Sequence, residues 1–405
     1  MRNYHVRLLD LHSAADAASL MRRIGTDTHG VSLMKNKMVH YTFRVGPLPP
    51  AAANIIKQEM LSVGGEAAVT RGVINCSAKD SDAILSATRK QFRKFCQKLR
   101  AQPFSLAQMA DRIETALRHQ EKDKGLPFFC RGLDVDLKER SLVMGILNVT
   151  PDSFSDGNRF LALDQALAQA RKLLDEGADI IDIGGESTRP GAEQVEEQQE
   201  LDRVIPVIES LRREFPELPL SIDTYKSRVA AAALAAGADI INDISAFNFD
   251  PEMAGVAAAS GAYACLMHIQ GTPREMQKNP TYEDLFNEIC AYFETAIGRA
   301  LEAGMKREKL ILDPGIGFGK TLEHNLLLLK HLRDFTGFGL PLLIGTSRKS
   351  FIAKLTEAPV AERLPGSLAT VALALRNGAN IARVHDVAAT RQAVTVIDAI
   401  NHVKR

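Results

Sequence analysis

From residue 142 onward, short apolar runs rich in β-branched residues alternate with longer segments whose apolar positions recur every three to four residues. The runs span 142–149, 179–183, 218–222, 239–242, 262–267, 310–312, 342–344 and 380–384. They read as strands covered on both faces, as in a parallel sheet. Helical periodicity lies between them, at 164–176, 195–214, 282–303, 323–335 and 367–377. Eight such strand–helix units in roughly 265 residues match the size of a (β/α)8 TIM barrel. The pair Gly-Ala stands before four of the runs, at Gly177-Ala178, Gly237-Ala238, Gly261-Ala262 and Gly378-Ala379. Glycine suits a left-handed position that ends a helix and turns the chain straight into the next strand.

The pattern is different before residue 125. Alternation predicts strands at 4–9, 40–45, 67–73 and 82–87, and helical spacing predicts helices at 14–23, 51–63, 91–100 and 105–118. That makes a small α+β domain, with a ferredoxin-like sandwich as the expected arrangement. The polar stretch 118–125 (RHQEKDKG) reads as a linker. The expected organisation is therefore α/β, with residues 1–125 as the small α+β domain and 126–405 as the barrel. Arg89, Lys90, Arg93, Lys94, Lys98 and Arg100 form a basic run with Phe92, Phe95 and Leu99 at helical spacing inside it. The plain reading is an amphipathic helix with a solvated basic face; the sharper one is a surface for a polyanion or acidic partner.

The chain has 405 residues, of which 45% are hydrophobic and 24% charged, so a barrel-sized core is within reach. A net charge of +1 gives no global field, so neither nucleic acid nor a membrane surface is an expected partner. The five cysteines, at 76, 96, 130, 265 and 290, are widely spaced and form no C-x-x-C, which argues against a disulfide framework or zinc site. The first residues hold no apolar leader core, and no apolar run approaches the roughly 18 residues of a membrane span. A reducing cytoplasm is the expected compartment.

In a (β/α)8 barrel, working side chains sit at the C-terminal ends of the strands. Every strand here delivers polar groups to that rim: Asn148 and the segment to Gly157, Gly184 to Gly191, Asp223-Thr224-Tyr225-Lys226, Asn242-Asp243, Met267-His268, Asp313 to Lys320, Gly345 to Ser350, and Arg383 to Asp386. Asp223, Asn242 and Asp313 suit a ligand edge rich in N–H donors, such as an aminopyrimidinone. Arg189, Lys349, Arg383 and His385 suit an anion, and Gly315, Gly317 and Gly319 permit close approach of backbone. A flat heterocycle carrying phosphates satisfies both halves.

Each residue also has a plainer use. Asp223 can cap the following helix, Asp313 can shape a turn, and Asn148 and Asn242 can close loops. Arg383 and His385 can pair with Asp386, Lys349 can be solvated, Thr188 and Arg189 can form a surface turn, and Met267 and Phe318 can be core. All of these would have to hold at one rim for the site to vanish. Residues 314–321 look like a P-loop but have Pro314 where its first glycine belongs, and Met267-His268 has no partner at zinc spacing.

The segments GILNVTPDSFSDG, IIDIGGESTRPGA, SIDTYK, IINDI, LMH, DPGIGFGK, IGTSRKS and RVHD, in this order from about residue 140 to 400, resemble the signatures of the dihydropteroate synthase family. Asn158 departs from it, standing where the family more often has a second glycine, and the first 125 residues lie outside its common form. The resemblance implies condensation of 6-hydroxymethyl-7,8-dihydropterin pyrophosphate with p-aminobenzoate, releasing pyrophosphate, in tetrahydrofolate biosynthesis. It implies that Asp223, Asn242, Met267, Asp313 and Lys349 hold the pterin. Phe154, Thr188, Arg189, Pro190, Phe318 and Ser350 would form the p-aminobenzoate pocket, and Asn148, Arg383 and His385 would hold the pyrophosphate. Asp156, Arg189, Lys349, Arg383 and His385 would serve catalysis, with Asp156 stabilising the pterin cation or taking the amine proton. It further implies Mg2+ near Asn148, with few protein ligands, closure of loops 150–160 and 187–196, sulfonamides as ligands, and a homodimer. Two rivals share parts of this pattern. A methyltetrahydrofolate:corrinoid methyltransferase needs the pterin floor but neither Arg383 nor His385 for pyrophosphate, and a non-catalytic paralogue needs no loop chemistry. A synthase for a larger aryl amine is a close variant.

Overall fold

The computed structural model describes residues 5–9, 11, 13–120, 125–149, 159–188, 191, 192 and 194–403, the side chains of 159–162 excepted. They form two compact units, one from the residues up to 120 together with Gly337–Gly339 and Val403, the other from Gly125–Thr336 and Leu340–His402.

The first unit holds three antiparallel strands, β1 (His40–Leu48), β2 (Glu66–Val69) and β3 (Ser81–Thr88), in the order β1-β3-β2. Its helices are α1 (Ala14–Arg23), α2 (Thr28–Met34), α3 (Pro50–Ser62), α4 (Arg89–Leu99) and α5 (Leu106–His119). Because β3 lies between β1 and β2, the β1-α3-β2 passage is a split β-α-β unit. This is three quarters of the expected ferredoxin-like sheet. The strand expected at 4–9 is not formed over residues 5–9, where Val6 and Leu8 are 97% and 98% exposed. Alternation states which face a strand would bury, but a strand exists only when a neighbour takes its backbone groups.

Helix α4 opens with a capping box between Thr88 and Gln91 and buries Phe92, Phe95, Cys96 and Leu99 against α3, β3 and α5. Lys98 pairs with Glu59, and Arg100 with Asp111 and Glu114. The apolar half of the basic run is thus core, and part of its charge is spent on neighbouring helices.

The second unit starts with a hairpin, β4 (Pro127–Cys130) and β5 (Leu133–Asp136), which the sequence reading missed. Eight parallel strands follow: β6 (Leu142–Asn148), β7 (Ile180–Gly184), β8 (Leu220–Asp223), β9 (Ile240–Asp243), β10 (Tyr263–Met267), β11 (Leu310–Asp313), β12 (Leu343–Ile344) and β13 (Ile381–Val384). They pair in chain order, β13 closes on β6, and a parallel bridge from Leu312 to Leu342 joins β11 to β12, so the ring is complete. Around it lie α6 (Arg159–Asp175), α7 (Glu197–Glu214), α8 (Ser227–Ala236), α9 (Met253–Ser260), α10 (Leu285–Glu302), α11 (Leu322–Lys330), α12 (Ser350–Thr356), α13 (Leu364–Arg376) and α14 (Val387–His402). This is a (β/α)8 TIM barrel, accompanied by an N-terminal α+β unit. Helix α11 stops at Lys330, short of the 335 expected, and the chain continues in 3-10 turns.

The Gly-Ala repeat has a mechanical use at the barrel's N-terminal end. Gly177 and Gly237 both take positive φ, at 97° and 117°, where their helices end. After each comes an aspartate that accepts the N–H of an adjacent strand, Asp179 from Val143 and Asp239 from Leu220. An arginine then ties glycine and aspartate together: Arg391 for Gly177 and Asp179, Arg212 for Gly237 and Asp239. Arg212 also donates to the carbonyls of Phe215, Pro216 and Leu218, which sets the entry to β8.

The hairpin plugs the same end. Phe128 is fully buried against Leu142, Met144, Ile180, Ile240 and Cys265, and its ring lies 4.5 Å from that of Tyr263. The Phe129 N–H donates to the Tyr263 hydroxyl at 3.1 Å. Phe128→Ala is expected to cost ~3–5 kcal/mol in urea unfolding of the barrel, the range for a large aromatic removed from a core. Ligand affinity at the opposite end of the barrel should stay unchanged.

Candidate functional site

The same apolar plug dictates where the chemistry sits. Ile180, Ile240, Ile311, Ile381 and Cys265 point into the barrel around Phe128. Side chains on a strand return to one face every second residue. One step further toward the C-terminal end, the inward positions are therefore Asp182, Asn242, Asp313, Arg383 and Met267. An apolar floor is followed, on five strands, by a polar or soft layer at the barrel's mouth.

That layer is organised around Arg383. Its Nε donates to Asp182 Oδ2 at 2.6 Å and its Nη2 to Asp223 Oδ2 at 2.5 Å. Asn242 Nδ2 donates to the same Asp182 oxygen at 3.2 Å. Asp182 is fully buried, and Asp223 and Asn242 nearly so. Two carboxylates thus share one guanidinium inside a protein interior. Burial raises the pKa of Asp223, and the nearby Asp182 adds to the rise, while Arg383 opposes it. The mouth holds more acceptor capacity than the chain itself satisfies. Asp223 does not cap α8, whose first N–H donates instead to Asp250. Arg383 does not pair with Asp386, which binds Arg348 through two hydrogen bonds of 3.0 and 2.5 Å. The sequence reading set Arg383 on the rim beside His385. The structure sinks its guanidinium among the floor acids, because Arg383 lies two residues beyond Ile381 whereas His385 lies four.

The opposite side of the mouth comes from β11 and the turn after it. Asp313 Oδ1 accepts the Gly315 N–H at 2.7 Å, and burial pushes this carboxyl's pKa up. Gly315 sits at φ 67°, and a Cβ there would fall 1.9 Å from the His268 carbonyl, so no other residue fits. Phe318 joins a small apolar cluster with Met267, Ile244, Ile269, Met276 and Tyr225. Lys349 reaches over the Phe318 ring, with Nζ 4.2 Å from its centroid, and donates to the Ile316 carbonyl at 2.5 Å. Burial around that amine lowers its pKa to about 8 against the pull of Asp313.

Lys320 is buried beneath this turn. Its Nζ lies 2.9 Å from His268 Nδ1 and donates to the Phe318 carbonyl at 3.0 Å. Desolvation drives the Lys320 pKa well down and that of His268 to about 2. The lysine therefore splints the glycine turn from within and is not a P-loop lysine.

The rim carries the remaining described groups. Asn148 ends β6 half-buried, and His385 is oriented by Ser347, whose Oγ lies 3.1 Å from its Nδ1. Both line a cavity of about 670 Å³ that runs outward between α6 and α14, past Lys172 and Arg348. Thr188 is half-buried and Ser350 exposed at the start of α12. Phe154, Asp156, Arg189 and Pro190 lie outside the described residues. Among the described residues no three His, Cys, Asp or Glu side chains converge on one point. The Asn148 carboxamide is a hard oxygen donor. It fits a magnesium ion that keeps its waters and is held chiefly by phosphate oxygens.

Two features escaped the sequence reading. Asp182 is the more telling, since an acid inside Ile180-Ile181-Asp182-Ile183 is costly unless paired, and that cost was the available signal. The other is Lys226, whose Nζ donates at 2.6 Å to each of Glu186, Glu200 and the Val195 carbonyl, while Tyr225 donates to Glu186 at 2.9 Å. This knot anchors the start of the segment after β7 to α7. Nothing local in the sequence joins residues so far apart.

Residues 144–385 match the family model described as pterin binding enzyme. Dihydropteroate synthase of Escherichia coli strain K12 is 48% identical over 274 residues, covering 68% of this chain and 96% of that protein. A Halobacterium salinarum protein described as a probable bifunctional folylpolyglutamate synthase/dihydropteroate synthase is 40% identical over 390 residues. That match spans 96% of this chain and 46% of the other, so it takes in the N-terminal unit. Among solved structures, Yersinia pestis dihydropteroate synthase in a sulfonamide drug complex superposes with a TM-score of 0.65 at 49% identity, over 68% of this chain and all of that one. The Xanthomonas albilineans enzyme with 4-aminobenzoic acid gives 0.64 at 44% identity, over 69% of this chain and all of that one. With an acid-lined mouth on a (β/α)8 barrel and these likenesses along its full length, the chain belongs to the pterin-binding enzyme family and, within it, to the dihydropteroate synthases.

Proposed function

We propose that the barrel joins 6-hydroxymethyl-7,8-dihydropterin pyrophosphate to p-aminobenzoate, forming 7,8-dihydropteroate and pyrophosphate. The observation that carries this reading is a surplus of buried acceptors at the mouth: Asp223 shares its one guanidinium with the deeper Asp182, and Asp313 stands on the opposite side. An aminopyrimidinone presents several N–H donors along one edge, and a carboxylate is the acceptor that takes two of them together. Asp313 and Asn242 would hold that edge, Asp223 the further ring nitrogens, Lys349 the carbonyl side, and Met267 one face of the ring. Thr188, Phe318 and Ser350 would border the aryl amine.

In the reaction the methylene carbon–oxygen bond breaks, and its electron pair leaves with pyrophosphate. The aniline nitrogen donates its lone pair to that carbon and then loses a proton. The protein's part is positioning and charge: donors from Arg383 and His385 meet the leaving anion, and the acids below face the cationic ring. Magnesium, which Asn148 would help to hold, neutralises charge on the pyrophosphate when bound.

The assembly we propose is a homodimer. The neighbouring helices α11, α13 and α14 expose Leu326, Leu373, Val396 and Ile400, a larger apolar surface than a solvated barrel needs. Five free cysteines, three of them buried, suit the cytoplasm. No helix among the described residues is long and apolar enough to cross a membrane. The domain boundary is proposed at residue 125, and sulfonamides are proposed to compete with p-aminobenzoate.

Two measurements test this reading. Pyrophosphate release should require both substrates, and Arg383→Ala should raise the KM for the pterin substrate roughly 10–100-fold, the worth of ~1.5–3 kcal/mol of charged hydrogen bonding. The KM for p-aminobenzoate should stay within about threefold, and equal losses in both would remove Arg383 from the pyrophosphate end. Lys349 donates only while protonated, so kcat/KM for the pterin substrate should fall as pH rises through about 8. Lys349→Arg should abolish that limb, and a limb that persists would assign it to another group.

A further inference from the structure

Beneath the mouth, Asp182 is an acid that no ligand can reach, since it is fully buried. Its Oδ2 takes Arg383 Nε and Asn242 Nδ2, while its Oδ1 has no hydrogen-bond partner among the described residues. Ser221, its register partner on β8, is equally buried and its Oγ is likewise without a partner among them. An unsatisfied carboxylate oxygen at such depth is costly, and a fold keeps one when another state of the molecule uses it. The strongest donor on this carboxylate is the guanidinium already bound to its other oxygen. In this structure its Nη2 is drawn away to Asp223. An arginine and a carboxylate bind most strongly as a fork, two parallel N–H···O bonds, and only the pull of Asp223 prevents it.

We propose that Asp182 is a positioning residue that makes Arg383 a two-position coupler between the pterin and pyrophosphate ends of the site. In this structure Arg383 is split between Asp182 and Asp223. A pterin edge that takes Asp223 competes Nη2 off that carboxylate. Nη2 then closes the fork on Asp182 Oδ1, and this turn of the guanidinium carries the Nη1 group, which has no acceptor among the described residues, toward the rim as a donor for the anion. Binding at one end therefore prepares the other, and the free energy that links them is reciprocal. This rests on the assignment of Asp223 to the pterin and of Arg383 to the pyrophosphate.

The test is a pair of calorimetric titrations on the full chain with 6-hydroxymethylpterin and with magnesium pyrophosphate, each alone and with the other saturating. In the wild type each ligand should tighten the other about five- to tenfold or more, within the usual range of coupling energies. Asp182→Asn keeps the shape and the Asn242 contact region but cannot fork a guanidinium. It should bind each ligand separately yet bring the coupling within about twofold of unity, because Arg383 then has Asp223 as its sole carboxylate. Coupling of wild-type size in D182N overturns the proposal, as does a wild type whose two ligands bind independently. A wild type that binds neither ligand instead overturns the pterin assignment itself. Should D182N fail to fold by circular dichroism, Arg383→Lys decides, since one ammonium cannot fork one carboxylate and serve an anion. Retained coupling in R383K sinks the proposal, and its loss with both ligands still bound supports it.

Discussion

Two buried carboxylates and one arginine cannot all be satisfied by one another, and the site follows from that shortage. Asp182 and Asp223 face the same guanidinium, and Asp313 stands across the mouth, where the charge of Lys349 favours its ionised form against burial. A protein interior tolerates such an excess of acceptors only if something supplies donors, and under the proposed function that supply is the substrate's ring edge. The proposed preference for a ring edge lined with N–H groups is thus a consequence of charge accounting inside the barrel. It needs no single specificity residue.

The frame makes this arrangement rigid. The hairpin around Phe128 fills the barrel from below with apolar side chains, and the next inward layer is the polar one, so acids, amide and arginine are held by strands and not by loops. Arg212 and Arg391 lock the opposite end by tying helix stops to strand starts, which fixes the strands' relative heights. Lys320 and Lys226 do similar work nearer the mouth, one under the glycine turn of β11 and one behind the segment after β7. Each is a lysine used as an internal splint, Lys320 satisfied by backbone carbonyls and the His268 ring, and Lys226 by two carboxylates and a carbonyl.

What the sequence made legible is what periodicity and chain order encode. All eight barrel strands were readable because each is a short apolar run that ends in a polar rim, and four of them also follow a glycine stop. Asp223, Asn242 and Asp313 were readable because they sit at strand ends, where a barrel presents its side chains. The hairpin at 127–136 was not, since four-residue strands carry too little pattern to stand out. Residues 5–9 alternate like a strand and remain unpaired, because alternation does not supply a partner. Asp182 was overlooked because it lies inside an apolar run and looked like part of the strand. The depth of Arg383 was misjudged for a related reason: its partners are distant in sequence, and only the barrel's closure brings β7, β8 and β13 together at one height.

The most direct check is a crystal structure of the protein with 6-hydroxymethylpterin bound. The account predicts the pyrimidine edge within about 2.7–3.2 Å of Asp313, Asn242 and Asp223 oxygens, with the Arg383 guanidinium still on Asp182. A pterin seated outside the ring of strands, or an Arg383 that leaves Asp182 and stays on Asp223, would contradict it.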